Sequence, residues 1–108
     1  MISRVTISVI IPTLNEERSL PQSLACLSAS APTEIIIVDG GSTDRTLDLA
    51  QDFCAHATNA RVITAARGRA SQMNEGAKAS QGEVLLFLHA DTQLPPQTER
   101  IAQSALTS

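Results

Sequence analysis

Residues 34–44 read Glu34-Ile35-Ile36-Ile37-Val38-Asp39-Gly40-Gly41-Ser42-Thr43-Asp44, and this stretch decides the fold. Its four consecutive β-branched apolar residues form an unbroken run instead of an alternating one, which is how a strand covered on both faces of a parallel sheet reads. Asp39 and two glycines end the run sharply. Ser42 or Thr43 then supplies a helix cap, with Asp44 in the first turn. A strand, a tight turn and a helix in that order form half of a βαβ unit.

Working outward, the pattern recurs. Residues 6–11 form a second buried-strand run that stops at Pro12. Residues 15–28 carry Leu20, Leu24 and Leu27 at helical spacing, with Pro21 tolerated near the first turn. The capped helix extends to Ala57 with Leu47, Leu49, Ala50 and Phe53 on its inner face. Residues 61–65 read as a weaker strand, Gly68 as a turn, residues 70–80 as an Ala-rich helix ended by Gly82, and residues 83–88 as a fourth buried strand. His89-Ala90-Asp91 closes that strand, and Pro95-Pro96 opens a last helix. The expected fold class is α/β, a mainly parallel sheet with helices on both faces in the order βαβαβαβα.

At 108 residues and 43% hydrophobic, the chain suits one small domain, residues 1–108, with no internal repeat or linker. Phe53 and Phe87 are its only aromatic residues, so the core is aliphatic and bases have little to stack on. A net charge of -3 points the same way, and nucleic acid is excluded as a partner. Cys26 and Cys54 lack metal-ligand or redox spacing and read as buried helix thiols, consistent with a reducing compartment. The first five residues are too short and polar for a signal peptide, and no run approaches the roughly 20 apolar residues of a membrane span. The expected location is the cytoplasm, with any membrane contact peripheral, at the inner face.

In open sheets of this kind ligands lie beyond the carboxyl ends of the strands. The four post-strand segments, residues 12–16, 39–44, 67–74 and 89–91, hold most of the polar residues with chemical potential. Asp39 is placed either to accept hydrogen bonds from a base or ribose or to stabilise its own turn. Asp91 is placed to hold a divalent cation that bridges a diphosphate, since Mg²⁺ takes one or two carboxylates plus phosphate oxygens. His89 is either a further ligand or a structural residue at a strand end. Arg67 and Arg69 flank Gly68 at a helix N-terminus, where charge and free N–H groups favour a diphosphate; the alternative is a solvated basic loop. Asn74 and Gly76 are poor helix residues that a close neighbour or ligand would explain. No Walker pattern is present, and no G-x-G-x-x-G follows the first strand.

Four ordered blocks carry a resemblance: Val9-Ile10-Ile11-Pro12-Thr13-Leu14-Asn15-Glu16-Glu17; Ile37-Val38-Asp39-Gly40-Gly41-Ser42-Thr43-Asp44; Gly68 with Asn74 and Gly76; and Phe87-Leu88-His89-Ala90-Asp91. Together they resemble the nucleotide-sugar-binding half of family 2 glycosyltransferases, whose fold is the Rossmann-like GT-A type. The His89-Ala90-Asp91-Thr92 version is similar to a bacterial subgroup described alongside radical-SAM and selenium-related genes. The resemblance implies transfer of a sugar, usually with inversion, from a nucleotide-diphosphate sugar, commonly UDP-linked, to an acceptor it does not name. It implies that Pro12, Thr13, Asn15 and Glu16 line the nucleoside pocket and that Asp39 binds the base. Arg67, Arg69, Asn74, His89 and Ala90 would join the nucleotide-sugar site, and Asp91 would hold Mg²⁺ or Mn²⁺. Asp39 and Asp91 are therefore expected to meet around one pocket.

Three departures accompany the resemblance. Gly40 stands where the family usually has a second Asp, His89 replaces the first Asp of the Asp-x-Asp motif, and Gln72-Met73 replaces an Ala-Arg pair. The family's acceptor half and catalytic base find no counterpart in these residues. The chain reads as a truncated nucleotide-sugar-binding domain whose exposed sheet edge or apolar face favours self-association. The alternative is a nucleotide-diphosphate-binding module without transfer activity.

Overall fold

The structure is a computed structural model that describes residues 5–30 and 32–90. Its element order is β1 (Ile7–Thr13), α1 (Leu20–Ser30), β2 (Glu34–Asp39), α2 (Thr46–Ala55), β3 (Ala60–Thr64), α3 (Arg69–Ala79) and β4 (Val84–Phe87). The expected helix opened by Pro95-Pro96, like Asp91, lies outside the described residues. The strands form one sheet in the order β3-β2-β1-β4, with all three neighbouring pairs parallel.

Alternation along β1 explains the layering, because successive side chains leave opposite faces of a strand. Ile7, Val9 and Ile11 pack with Leu20, Leu24 and Leu27 of α1 and with Ala50 of α2 on one face. Ile10 joins Ile36 and Val38 on the other, against Ala77 and Ala79 of α3. Helices thus cover both faces, and the almost wholly apolar runs of β1 and β2 are what a strand needs when neither side meets water. At Gly76 α3 comes so close to the sheet that a Cβ would collide with the Ile10 side chain and lie 3.0 Å from Val38 Cγ2. The neighbour expected at this helical glycine is therefore the sheet.

Several boundaries differ from expectation. β1 runs on through Pro12 to Thr13. Ile10 O accepts from Leu88 N on the β4 side, whereas Thr13 O accepts from Gly40 N on the β2 side. Pro12 shares the parity of Ile10, so its missing N–H faces the side where pairing with β4 has already ended at Ile10↔Phe87. α1 begins at Leu20, five residues later than expected, because Asn15, Glu16 and Glu17 are taken up by contacts to Ser42, Thr46 and Asp44. α2 begins at Thr46, and neither Ser42 nor Thr43 caps it. The Asp44 carboxylate instead receives the Thr46 N–H at 2.9 Å and the Thr46 hydroxyl. Cys26 and Cys54 are half-buried, not buried, and no disulfide joins them.

Candidate functional site

β1 and β2 finish level, with Thr13 opposite Asp39. The Asp39 side chain is 1% exposed and accepts four hydrogen bonds. Oδ1 receives the Thr13 hydroxyl at 2.9 Å and the Ser42 hydroxyl at 2.6 Å. Oδ2 receives the Gly41 and Ser42 N–H groups at 3.0 and 2.9 Å. An ionised carboxylate has about four lone-pair positions, and here internal donors fill them. Burial pushes the Asp39 carboxyl up, but the Ser42 hydroxyl and amide, the Thr13 hydroxyl and the Gly41 amide outweigh it and hold the group below its ordinary value. Of the two roles open to Asp39, turn stabilisation is the one the geometry displays.

A second set of bonds zips the β1–α1 turn to the β2–α2 turn. Asn15 has a positive φ of 54°, a conformation that Asn tolerates better than most residues. Its side-chain oxygen accepts from Thr43 N at 2.8 Å and from Asp44 N at 3.3 Å, and its own N–H donates to the Ser42 hydroxyl. Glu16 N donates to the Thr46 hydroxyl at 2.7 Å. Asn15 is thus a joint between loops.

Gln72, which sequence reasoning saw only as a departure, is 4% exposed and lies under this assembly. Its side-chain N–H₂ donates to the Thr13 and Val38 carbonyls, both at 2.9 Å, and its oxygen accepts from Gly68 N at 3.2 Å. A Cβ at Gly40 would sit 2.8 Å from the Gln72 amide. Gly40 and Gln72 are therefore one paired choice, in which the space beside a side chain at 40 is filled from α3. Gly40 and Gln72 stand 32 residues apart in the sequence, so their pairing is legible only in the fold.

The chain runs outward from β1 to β2 to β3 and then crosses to β4 on the far side of β1. The crevice beyond the carboxyl ends of β1 and β4 is thus the topological switch point. Two adjoining cavities of about 130 and 180 Å³ lie there and share Pro12, Arg69 and His89. Thr13, Glu16 and Gln72 line the first; Met73, Phe87 and Leu88 line the second. Each is below the roughly 300–1,000 Å³ of a usual small-molecule pocket, so neither alone would enclose a nucleotide. Arg69 Nη2 is 2.7 Å from His89 Nδ1 across it. Arg67 and Asn74 are exposed but do not line either cavity. Ala90 is buried in the core, its carbonyl held by the Ser23 hydroxyl. The expected meeting of Asp39 with Asp91 falls on a residue outside those described.

A larger cavity, about 560 Å³, opens at the amino ends of the strands around Glu34 and Arg61. Position argues against it as the ligand site, and so does chemistry. Glu34 accepts from the Ser8 hydroxyl and Gln81 N and pairs with Arg61 at 3.7 Å, so its polar groups are already spent within the fold.

Two outcomes follow from the Asp39 and Gln72 contacts. Asp39→Asn places an amide donor among four donors and should lower stability in urea by about 2 kcal/mol at neutral pH. Because the folded carboxyl lies below its ordinary 3.8, the wild-type advantage is complete above about pH 4 and vanishes as pH falls through the folded value. A difference between the two proteins that stays constant down to pH 2 would contradict the network. Gly40→Asp should cost about 1–3 kcal/mol by overpacking against Gln72. The Gly40→Asp, Gln72→Ala double variant should lose less than the sum of the two single losses; simple additivity would show that the sites are independent.

With the geometry in place, comparisons identify the relatives. A family model described as Glycosyl transferase family 2 matches residues 8–106. The chain is 38% identical over 112 residues to an undecaprenyl-phosphate 4-deoxy-4-formamido-L-arabinose transferase of Pseudomonas paraeruginosa, covering 90% of this chain and 32% of that protein. It is 42% identical over 94 residues to a PGL/p-HBAD biosynthesis glycosyltransferase of Mycobacterium bovis, covering 81% of this chain and 36% of the relative. Among solved structures, glucosyl-3-phosphoglycerate synthase from Mycobacterium tuberculosis, in complex with Mn²⁺, UDP and phosphoglyceric acid, superposes with a TM-score of 0.71 at 27% identity. That match covers 86% of this chain and 35% of the other. The chain therefore spans about a third of the length of these relatives. Level strand ends, a crevice at the switch point and a family match across nearly all its residues lead to one conclusion: the chain belongs to glycosyl transferase family 2.

Proposed function

We propose that this chain forms the nucleotide-sugar-binding part of a glycosyltransferase that moves a sugar from a nucleotide-diphosphate donor, UDP-linked by preference, to an acceptor hydroxyl or phosphate. The supporting observation is the convergence of Pro12, Thr13, Glu16, Arg69 and His89 on the switch-point crevice. The mycobacterial synthase of the same fold carries UDP and Mn²⁺.

Each residue's task follows from its place. Pro12 and the Thr13 main chain form the floor for the nucleoside. Glu16, held through its N–H by Thr46, offers a carboxylate at the rim. Arg69, the first residue of α3, brings a fixed positive charge to the diphosphate beside a helix N-terminus. Asp39 acts beneath them by keeping both loops in place.

A divalent ion suits the donor set in part: Glu16 is the one carboxylate among the described residues of the smaller cavity, and Asp91 follows directly on Ala90 in the sequence. When bound, such an ion neutralises charge on the departing diphosphate. The base that deprotonates the acceptor is assigned to the part of the relatives' length that this chain does not match. Among the described residues no helix is long and apolar enough to cross a membrane. A lipid-phosphate acceptor, as in the name of the Pseudomonas relative, would call for peripheral membrane contact.

Titration calorimetry with UDP and Mn²⁺ tests the reading. Wild-type chain should bind UDP, and Arg69→Ala should bind it about tenfold more weakly, the loss of one charge-assisted contact. Equal affinity in the variant would remove the crevice from the account. Binding without hydrolysis or transfer of donor by the full-length protein would favour the module that only binds.

A further inference from the structure

We propose that His89 serves the crevice as a hydrogen-bond donor to an anionic oxygen and not as a ligand of the divalent ion, with Arg69 as the positioning residue that fixes its tautomer. Only the identity of the anion, a diphosphate, rests on the proposed function. The tautomer rests on geometry alone.

Arg69 Nη2 lies 2.7 Å from His89 Nδ1. A guanidinium has N–H groups and no lone pair to offer, so Nδ1 must accept. A neutral imidazole carries one proton, which therefore resides on Nε2. A protonated ring would set N–H against N–H at that distance. A metal-bound histidine needs the reverse arrangement, a bare nitrogen on the metal and a protonated partner nitrogen facing a carboxylate or carbonyl. Ligation through Nε2 would require the proton to move to Nδ1 and the Arg69 contact to break.

The consequence is a change of sign at this position. Where the family's motif has an Asp to bring negative charge to a metal, this chain presents Nε2–H beside the remaining Arg69 N–H groups. Two donors on one wall suit the oxygens of a diphosphate directly. Among the described residues of the smaller cavity, Glu16 is the remaining charged group.

His56 supplies an internal contrast, because its Nδ1 lies 2.9 Å from the Asp52 carbonyl and must donate. In the intact chain labelled with ¹⁵N-histidine, two-bond ¹H–¹⁵N correlations should show His89 bare at Nδ1 and protonated at Nε2, with His56 the opposite. Arg69→Ala should release His89 toward a mixture of tautomers. Mg²⁺ alone should leave the His89 nitrogens in place. A proton on Nδ1 of His89, or a metal-induced shift at its Nε2, overturns the proposal.

Calorimetry with UDP and with inorganic pyrophosphate supplies the binding arm. His89 is exposed, so His89→Ala should fold, and it should weaken both probes by about the same factor, near tenfold, in Mn²⁺ and in EDTA. A loss seen only with Mn²⁺ would make His89 a metal ligand. If pyrophosphate binds and UDP does not, the nucleotide reading fails while the donor assignment stands; if neither binds wild type, both fail.

Discussion

The Asp39 carboxylate is the constraint on which the rest of the molecule depends. It ties the last residue of β1 to the last residue of β2 through the Thr13 hydroxyl, and it draws the following turn inward through Gly41 and Ser42. A buried anion with this many donors is costly to disturb, because losing any acceptor strands several N–H and O–H groups away from water. The two central strands therefore end level and the loops leave in a fixed direction. Without that, Glu16 would have no defined place at the rim and Pro12 none on the floor.

Around this centre the polar groups divide into those that hold the crevice and those that face it. Asn15, Ser42, Thr43, Asp44 and Thr46 bond to one another and stitch two loops together. Gln72 bonds the carbonyl ends of both strands to the turn before α3. Arg69 and His89 project from α3 and from the end of β4 into the same space. A wall of this type is rigid because its supporting residues have already used their hydrogen bonds within the fold.

Much of this was legible in the sequence, for reasons that can be named. Ile35 to Val38 and Ile7 to Ile11 are buried on both faces, and short, mostly β-branched apolar runs bounded by turn residues suit a central strand of a parallel sheet. That Pro12, Thr13, Glu16, Arg69 and His89 share one crevice follows from their positions after strands, which the switch-point topology brings together. The start of α1 differs from expectation because residues 15–19 have helix-compatible composition, whereas contacts from Ser42, Thr46 and Asp44 hold Asn15, Glu16 and Glu17. Those partners lie 27 to 30 residues away, beyond any local pattern. For the same reason the contacts that Asn15 and Gln72 make within the fold were not legible in the sequence.

The proposed seat of the nucleotide diphosphate is the crevice at the carboxyl ends of β1 and β4. A crystal structure of the intact protein soaked with UDP and Mn²⁺ tests it most directly. Diphosphate oxygens are expected within hydrogen-bond reach of Arg69 and His89 Nε2, with the uridine extending toward Pro12 and Thr13. UDP seated instead in the Glu34–Arg61 cavity at the opposite end of the sheet would contradict it.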